Sequence, residues 1–336
     1  MKYFFCLSLL LLSSCQQATP LQKHSFHFGT FIDITLYDTN NTDVFNQLFA
    51  TLTQLEKDLT LTSESELTTL NYASGSHSVT LTPSTCEIFN AALHYTTVTD
   101  GHFNLALQPI THLWNFSSDT PQRPSSHDIT TALPLTNYDD IQFNASTCQT
   151  YLTEPHMGVD LGGIAKGYAL DVLKAQLNEL NIESALLNVG GNILAHGTKP
   201  NREPFNIGIQ DPYEPRGTHL GVLSLTSKSV ATSGPYERNF EEDGVFYHHI
   251  LNAATGYPVE NELASVSIIC ESGTCTDALS TAIFSMGLKD GLAFIQSLPD
   301  VEAIFVTNQR EIFVTSGLAN TFKLTNHKYT PHFLTN

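Results

Sequence analysis

Apolar positions along the chain switch repeatedly between a period of two and a period near 3.6, which predicts interleaved strands and helices. Residues 27–37, HFGTFIDITLY, alternate and are rich in β-branched and aromatic side chains. They predict one strand, with Gly29 marking a close backbone approach. Val44, Leu48, Leu52, Leu55 and Leu59 keep helical spacing and predict a helix from 42 or 43 to 59. A second helix follows Thr82-Pro83-Ser84, because Pro suits a first helical turn, and passes through Ile88, Ala92 and Tyr95 toward Asp100. Residues 117–128, rich in Ser, Pro and Asp, predict a surface loop. Ile164, Tyr168, Val172, Leu173, Leu177 and Leu180 form another helical stripe. Further strands are predicted at 184–189, 207–209, 222–225, 229–232, 264–270, 303–307 and 311–315, and a helix at 276–286. This order lacks a strict βαβ rhythm, so the predicted class is α+β, with mixed or antiparallel sheets flanked by helices.

The N-terminus reads as a targeting segment. Lys2 is followed by an apolar run over 3–12, too short to span a bilayer as a helix, and then by Leu12-Ser13-Ser14-Cys15. The tetrad resembles the bacterial lipobox, which implies cleavage before Cys15 and a lipid on its thiol. The expected organisation is a signal peptide over 1–14, a lipidated Cys15 with a polar tether to 24, and one domain over 25–330. The domain would then sit on the extracytoplasmic side as a membrane-anchored lipoprotein, with the inner membrane as its expected home. No later segment reads as a second anchor. Cys86, Cys148, Cys270 and Cys275 remain in the body, where disulfides are permitted; a short Cys270–Cys275 loop is one of three pairings.

With 336 residues, 41% of them hydrophobic and 14% charged, the chain predicts a globular body of one large or two closely packed domains. Its formal charge of −18 argues against a sequence-independent grip on nucleic acid. A phosphate ligand would need local N–H groups, a lysine or a metal ion.

The stretch MGVDLGGIAKGYALD, from Met157, offers such a place. It predicts a strand ending in Asp160, a turn at Gly162-Gly163 and a helix opening near Ile164. The unpaired N–H groups at that helix start suit an anion. No G-x-x-x-x-G-K-[ST] or helix-opening G-x-G-x-x-G occurs, so neither familiar nucleotide loop is present. Asp277 and Thr281, four apart on one helix, offer hard oxygen ligands of the kind Mg2+ accepts.

FGTF from Phe28, SELTTLN from Ser65, DGHFNLALQPITHLWNF from Asp100, VDLGGIAKGYALD from Val159, LNVGGNI from Leu187, ATSGPYER from Ala231, HILNAATGYPVEN from His249 and TDALSTAIFSMG from Thr276 occur in order. Together they resemble the ApbE family of FAD:protein FMN transferases. The resemblance implies a Mg2+-dependent enzyme, with its FAD site between sub-domains, that passes FMN from FAD to a Thr or Ser of an exported acceptor and releases AMP. Acceptors in the family are subunits of redox pumps of the sodium-translocating NADH:quinone reductase and Rnf types. The resemblance also implies that the Gly163 carbonyl, Asp277 and Thr281 hold the metal, with Ser280 close by. Asp160, Lys166, His102, Phe103, Asn104 and Leu251 line the FAD site, with Phe28 against the flavin. His249 is the candidate base, because its ordinary pKa lies near neutrality, and Asp160 is its rival.

Four positions depart from the family's pattern: Phe28 for Met, Asn104 for Asp, Leu61 or a neighbour for a flavin-covering Tyr, and Asn252-Ala253 for Asp-Pro. Two other functions compete with transfer: an FAD pyrophosphatase giving FMN and AMP, and a flavin-binding lipoprotein without chemistry. Asp277, Thr281 and Lys166 argue against binding alone.

Overall fold

The computed structural model describes residues 19–335. The expected signal segment and Cys15, the expected lipid site, lie outside the described residues. The chain begins with a hairpin, β1 (Leu21–His27) and β2 (Thr30–Leu36), then α1 (Asp43–Leu59) and α2 (Glu66–Tyr72). β3 (Val79–Thr80), α3 (Pro83–Val98), α4 (Gln108–Trp114) and α5 (Ser126–Ala132) lead to a small hairpin, β4 (Ile141–Asn144) and β5 (Gln149–Leu152). After α6 (Ala165–Glu179) come β6 (Ala185–Val189), β7 (Asn192–His196), β8 (Phe205–Gln210), β9 (His219–Leu225) and β10 (Lys228–Ser233). β11 (Asn239–Glu242), β12 (Val245–His248), β13 (Leu263–Cys270) and α7 (Gly273–Ser297) follow. The described chain closes with β14 (Glu302–Thr307), β15 (Glu311–Val314), β16 (Phe322–Leu324) and β17 (Thr330–Phe333).

Nine strands form the central sheet, in the order β1-β2-β6-β7-β10-β13-β14-β15-β17. Every pairing is antiparallel except β15 with β17, which is the mixed, mainly antiparallel α+β architecture that the pattern predicts. All eight residues of β13 are buried, as befits a strand covered on both faces. Val266 and Ile268 join a cluster with Leu279 and Ile283 of α7, while Ile269 faces Ile207, Leu223 and Phe322 of the three-stranded β16-β9-β8 sheet. On its other side α7 buries Ala278 and Ala282 among residues of α1, α3 and α6. By length and composition α7 could cross a membrane, contrary to the reading of no second apolar segment. It is instead a core helix, broken at Gly287, whose φ is +81°.

Three local expectations change. Residues 27–37 are not one strand: Phe28 and Gly29, with φ of 54° and 67°, form a two-residue turn that pairs His27 with Thr30. Two positive φ values suit the twist of a hairpin, so Gly29 serves conformation, and nothing lies within 4 Å of its Cβ position. Leu21–His27 is already strand, so residues 21–24 belong to the sheet rather than to a tether. The loop at 117–128 ends early, because Ser125 accepts from Asp128 N and starts α5. Of the cysteines, Cys86 and Cys148 form a disulfide, whereas Cys270 and Cys275 are buried free thiols.

Candidate active site

The stretch ahead of α6 is extended but not a strand. Val159 donates to and accepts from the Asn71 side chain, at 2.8 and 3.0 Å, and Asp160 N donates to Leu105 O at 2.8 Å. These side-chain and loop partners replace a ladder. The helix start does bind an anion, but the anion is internal: Gly167 N donates to Asp277 Oδ2 at 2.9 Å. Lys166 Nζ lies 3.4 Å from Asp277 Oδ1. The expectation of N–H groups kept for an external phosphate is therefore corrected at Gly167. Asp277 is 5% exposed, and a carboxylate so buried requires partners of this kind.

Along α7, residues 277, 281 and 285 stand on one stripe. Thr281 Oγ1 lies 3.5 Å from Asp277 O and 3.5 Å from Ser233 Oγ, at the end of β10. Ser280 donates to Asp277 O at 2.9 Å and accepts from Ser233 at 2.9 Å. His102 Nδ1 is 3.1 Å from Ser285 Oγ. A Cβ at Gly163 would meet Thr281 Oγ1 at 3.9 Å and the Phe103 ring at 3.2 Å, so the Gly163 backbone closes on the same place. Gly163, Asp277 and Thr281 are thus brought together from a loop and a helix more than a hundred residues apart. Among the described residues no three His, Cys, Asp or Glu side chains converge as a metal cluster. One carboxylate beside neutral oxygens fits a hard cation that takes its other ligands from water or phosphate.

Around this centre the remaining residues differ in how free they are. Asp160 uses both oxygens, accepting from Gly162 N at 2.8 Å and Thr111 Oγ1 at 2.9 Å. His249 is partly buried, and its Nδ1 faces the Arg238 carbonyl at 3.2 Å. A carbonyl only accepts, so Nδ1 carries the proton and Nε2 keeps a lone pair. Burial, reinforced by the positive charges of Arg238 and Lys166, pushes the His249 pKa down to about 4 against the opposing Arg238 hydrogen bond, so the near-neutral pKa expected of it is corrected and its candidacy as base rests on the free Nε2 lone pair. His102 is also pushed down by burial, with Asp100 and Asp290 opposing.

Phe103 and Leu251, expected along the FAD site, are core side chains, 4% and 5% exposed. Phe103 backs Gly163, and Leu251 packs with Ile110 and Trp114. Asn104 is engaged twice: its oxygen accepts from Ala106 N at 2.8 Å and its nitrogen donates to Thr136 O at 3.0 Å. An aspartate could make only the first bond, which gives the departure at 104 a structural reason. The Asn252 side chain accepts from Ala254 N and Thr255 N, so this turn is held without the usual proline. Leu61 lines an open groove of about 640 Å³ with Thr62, Thr68, Tyr72 and His77, apart from the other predicted residues.

Phe28 is tied down from α1, where Glu56 accepts from its N–H at 2.7 Å and from His27 Nδ1 at 3.2 Å. Ser233, Thr111 and Glu56 were not singled out by sequence. Each acts across a separation of 28 or more residues, which no local pattern encodes.

The ApbE family profile matches residues 28–305. A FAD:protein FMN transferase of Klebsiella pneumoniae is 35% identical over 289 residues, covering 86% of this chain and 89% of the relative. One from Treponema pallidum is 32% identical over 297 residues, covering 84% and 82%. The crystal structure of the ApbE protein of Thermotoga maritima superposes with a TM-score of 0.80 at 31% identity, covering 88% of this chain and 96% of that one. The flavin transferase ApbE of Vibrio cholerae shares the fold, with a TM-score of 0.78 at 22% identity over 93% of this chain and 98% of that one. With its ordered motifs, its matching fold and these relatives, the chain belongs to the ApbE family.

Proposed function

We propose that this protein is a FAD:protein FMN transferase, moving FMN from FAD to a Thr or Ser hydroxyl of an exported acceptor protein and releasing AMP. The observation that carries the reading is Asp277: a buried carboxylate held between Gly167 N and Lys166, one helical turn before the Thr281 hydroxyl that faces Gly163. The relatives named for this activity align over most of the chain.

Mg2+ is the metal that these oxygens suit, held by the Gly163 carbonyl, Asp277 and Thr281. When bound, it neutralises charge on the pyrophosphate. The chain's own residues do the rest. Lys166 supplies positive charge for the pyrophosphate oxygens, while Phe28, fixed by Glu56, offers a ring to the flavin. The acceptor hydroxyl oxygen bonds to the FMN phosphorus as the phosphorus–oxygen bond to AMP breaks. His249 Nε2 takes the hydroxyl proton. Asp160 is the less available rival, because both its oxygens already accept hydrogen bonds. A membrane-tethered lipoprotein, anchored through Cys15 on the extracytoplasmic side, would meet redox-pump subunits of the sodium-translocating NADH:quinone reductase or Rnf type.

The test mixes the purified body with FAD, Mg2+ and an acceptor domain carrying a Thr, and reads acceptor mass and AMP together. A mass gain equal to FMN, matched by AMP and lost in Asp277→Ala, is expected. AMP without a mass gain points to FAD hydrolysis, and full activity in Asp277→Ala overturns the metal assignment.

A further inference from the structure

The grip of α6 on α7 reaches beyond Asp277. Asp171, one turn after Gly167, sends its carboxylate to the very start of α7. Its Oδ1 accepts from Gly273 N at 2.7 Å, and its Oδ2 accepts from Ser272 Oγ at 2.6 Å, Thr274 N at 2.9 Å and Thr274 Oγ1 at 2.6 Å. Four donors, three of them on Oδ2, converge on this one carboxylate. Two of them are backbone N–H groups that a helix start leaves without internal partners. α7 has no acidic residue in its own first turn, so the negative charge complementing its dipole comes from α6. The N-cap Ser272 hydroxyl, which accepts from Cys275 N at 3.2 Å, is oriented by the same contact.

Asp277 lies one turn beyond Gly273, so a helix start held in place fixes where its carboxylate points. Between the two grips the backbones touch: a Cβ on Gly273 would lie 2.9 Å from Leu170 Cβ, and one on Gly167 would lie 2.7 Å from Asp277 Cβ. Pins on both sides of so close a seam leave Asp277 little room to rotate or slide.

We infer that Asp171 is a positioning residue: by anchoring the first turn of α7 to α6, it holds the Asp277 carboxylate against Gly167 N in the orientation that binds the cation. The cation part rests on the function proposed above; the orientation part does not. The hydrogen bonds of Asp171 go to Ser272, Gly273 and Thr274, so substituting it deletes none of the proposed ligands. Residues that orient a metal ligand from behind commonly govern affinity by about 10-fold to 100-fold.

The test compares the wild type with Asp171→Asn, which keeps size and shape, and with Thr274→Val, which deletes a single donor to Asp171. Mn2+ binding to the FAD-free protein is read by electron paramagnetic resonance, and amide hydrogen exchange is followed at Gly167 and through the first turn of α7. Asp171→Asn is expected to weaken Mn2+ about 10-fold or more, Thr274→Val about 3-fold, with faster exchange at Gly167 in the same order. The KM for FAD should stay within about 3-fold, a split that general loosening of the fold would not produce. If Asp171→Asn binds Mn2+ as the wild type does and Gly167 stays equally protected, the inference is overturned. If the wild type itself binds no Mn2+ through Asp277, the metal reading fails, and exchange at Gly167 still decides the role of Asp171.

Discussion

Replacing Gly167 with Ala separates helix propensity from tertiary packing. In an isolated helix the change is favourable by about 1 kcal/mol. Here the added Cβ would lie 2.6 Å from the Gly273 carbonyl carbon and 2.7 Å from Asp277 Cβ. Ordinary contact at these atoms needs α7 to retreat by about 1 Å, and its start is pinned by the Asp171 hydrogen bonds. Overpacking of this kind costs about 3 kcal/mol when backbone opposes it, so the net loss is about 2 kcal/mol. For a chain of this length that lowers Tm by about 3 °C. The retreat also lengthens the Gly167 N to Asp277 bond, now 2.9 Å, and a 1 Å misplacement in a catalytic site can cost about 100-fold in rate. Calorimetry and FMN transfer with AMP release, measured on the same preparation, check both numbers. A Gly167→Ala protein with raised Tm, or with unchanged turnover, would refute the argument that this seam sets the site.

Three further outcomes are expected. Because the folded pKa of His249 lies near 4 and its ordinary value is 6.5, the folded state binds fewer protons between these values. Stability should therefore be complete above about pH 6.5 and fall as the pH drops toward 4, and urea titrations of His249→Asn should show a shallower fall; an identical profile removes the assignment. Reducing the Cys86–Cys148 bond, which spans 62 residues, should cost about 4 kcal/mol, seen as a lower urea midpoint in dithiothreitol. Glu56→Gln keeps the shape but weakens the hold on Phe28 N and His27, so the KM for FAD should rise about 5-fold with the transfer rate at saturation preserved; an unchanged KM would detach Phe28 from the flavin.

Periodicity alone located α1, α3 and α6 within a few residues, because each buries one stripe: Val44, Leu48, Leu52, Leu55 and Leu59 of α1 are all in the core. It also gave the interior strands β6, β10, β13, β14 and β15, whose apolar runs answer to burial on one or both faces. Local chemistry was less well predicted where a short segment had two outcomes. The stretch at 27–37 carries strand residues throughout, and only the two positive φ values at Phe28 and Gly29 turn it into a hairpin. The stretch ahead of Asp160 has strand composition but finds its partners in Asn71 and Leu105 rather than in a sheet.

The ordered motifs by themselves determined the family and the set of candidate residues, because residue types at fixed spacing survive in one dimension. What those residues do to one another was decided only in three. Lys166 and Asp277 are 111 residues apart in sequence yet form one ion pair, and the helix start that reads as a phosphate cradle is filled by Asp277. Phe103, Leu251 and Asn104 look free in a motif and are held by packing or by hydrogen bonds in the fold. The physical reason is common to all of these: burial and hydrogen-bond satisfaction are properties of what the chain folds back against, and local sequence specifies the donor or the carboxylate but not the partner that uses it.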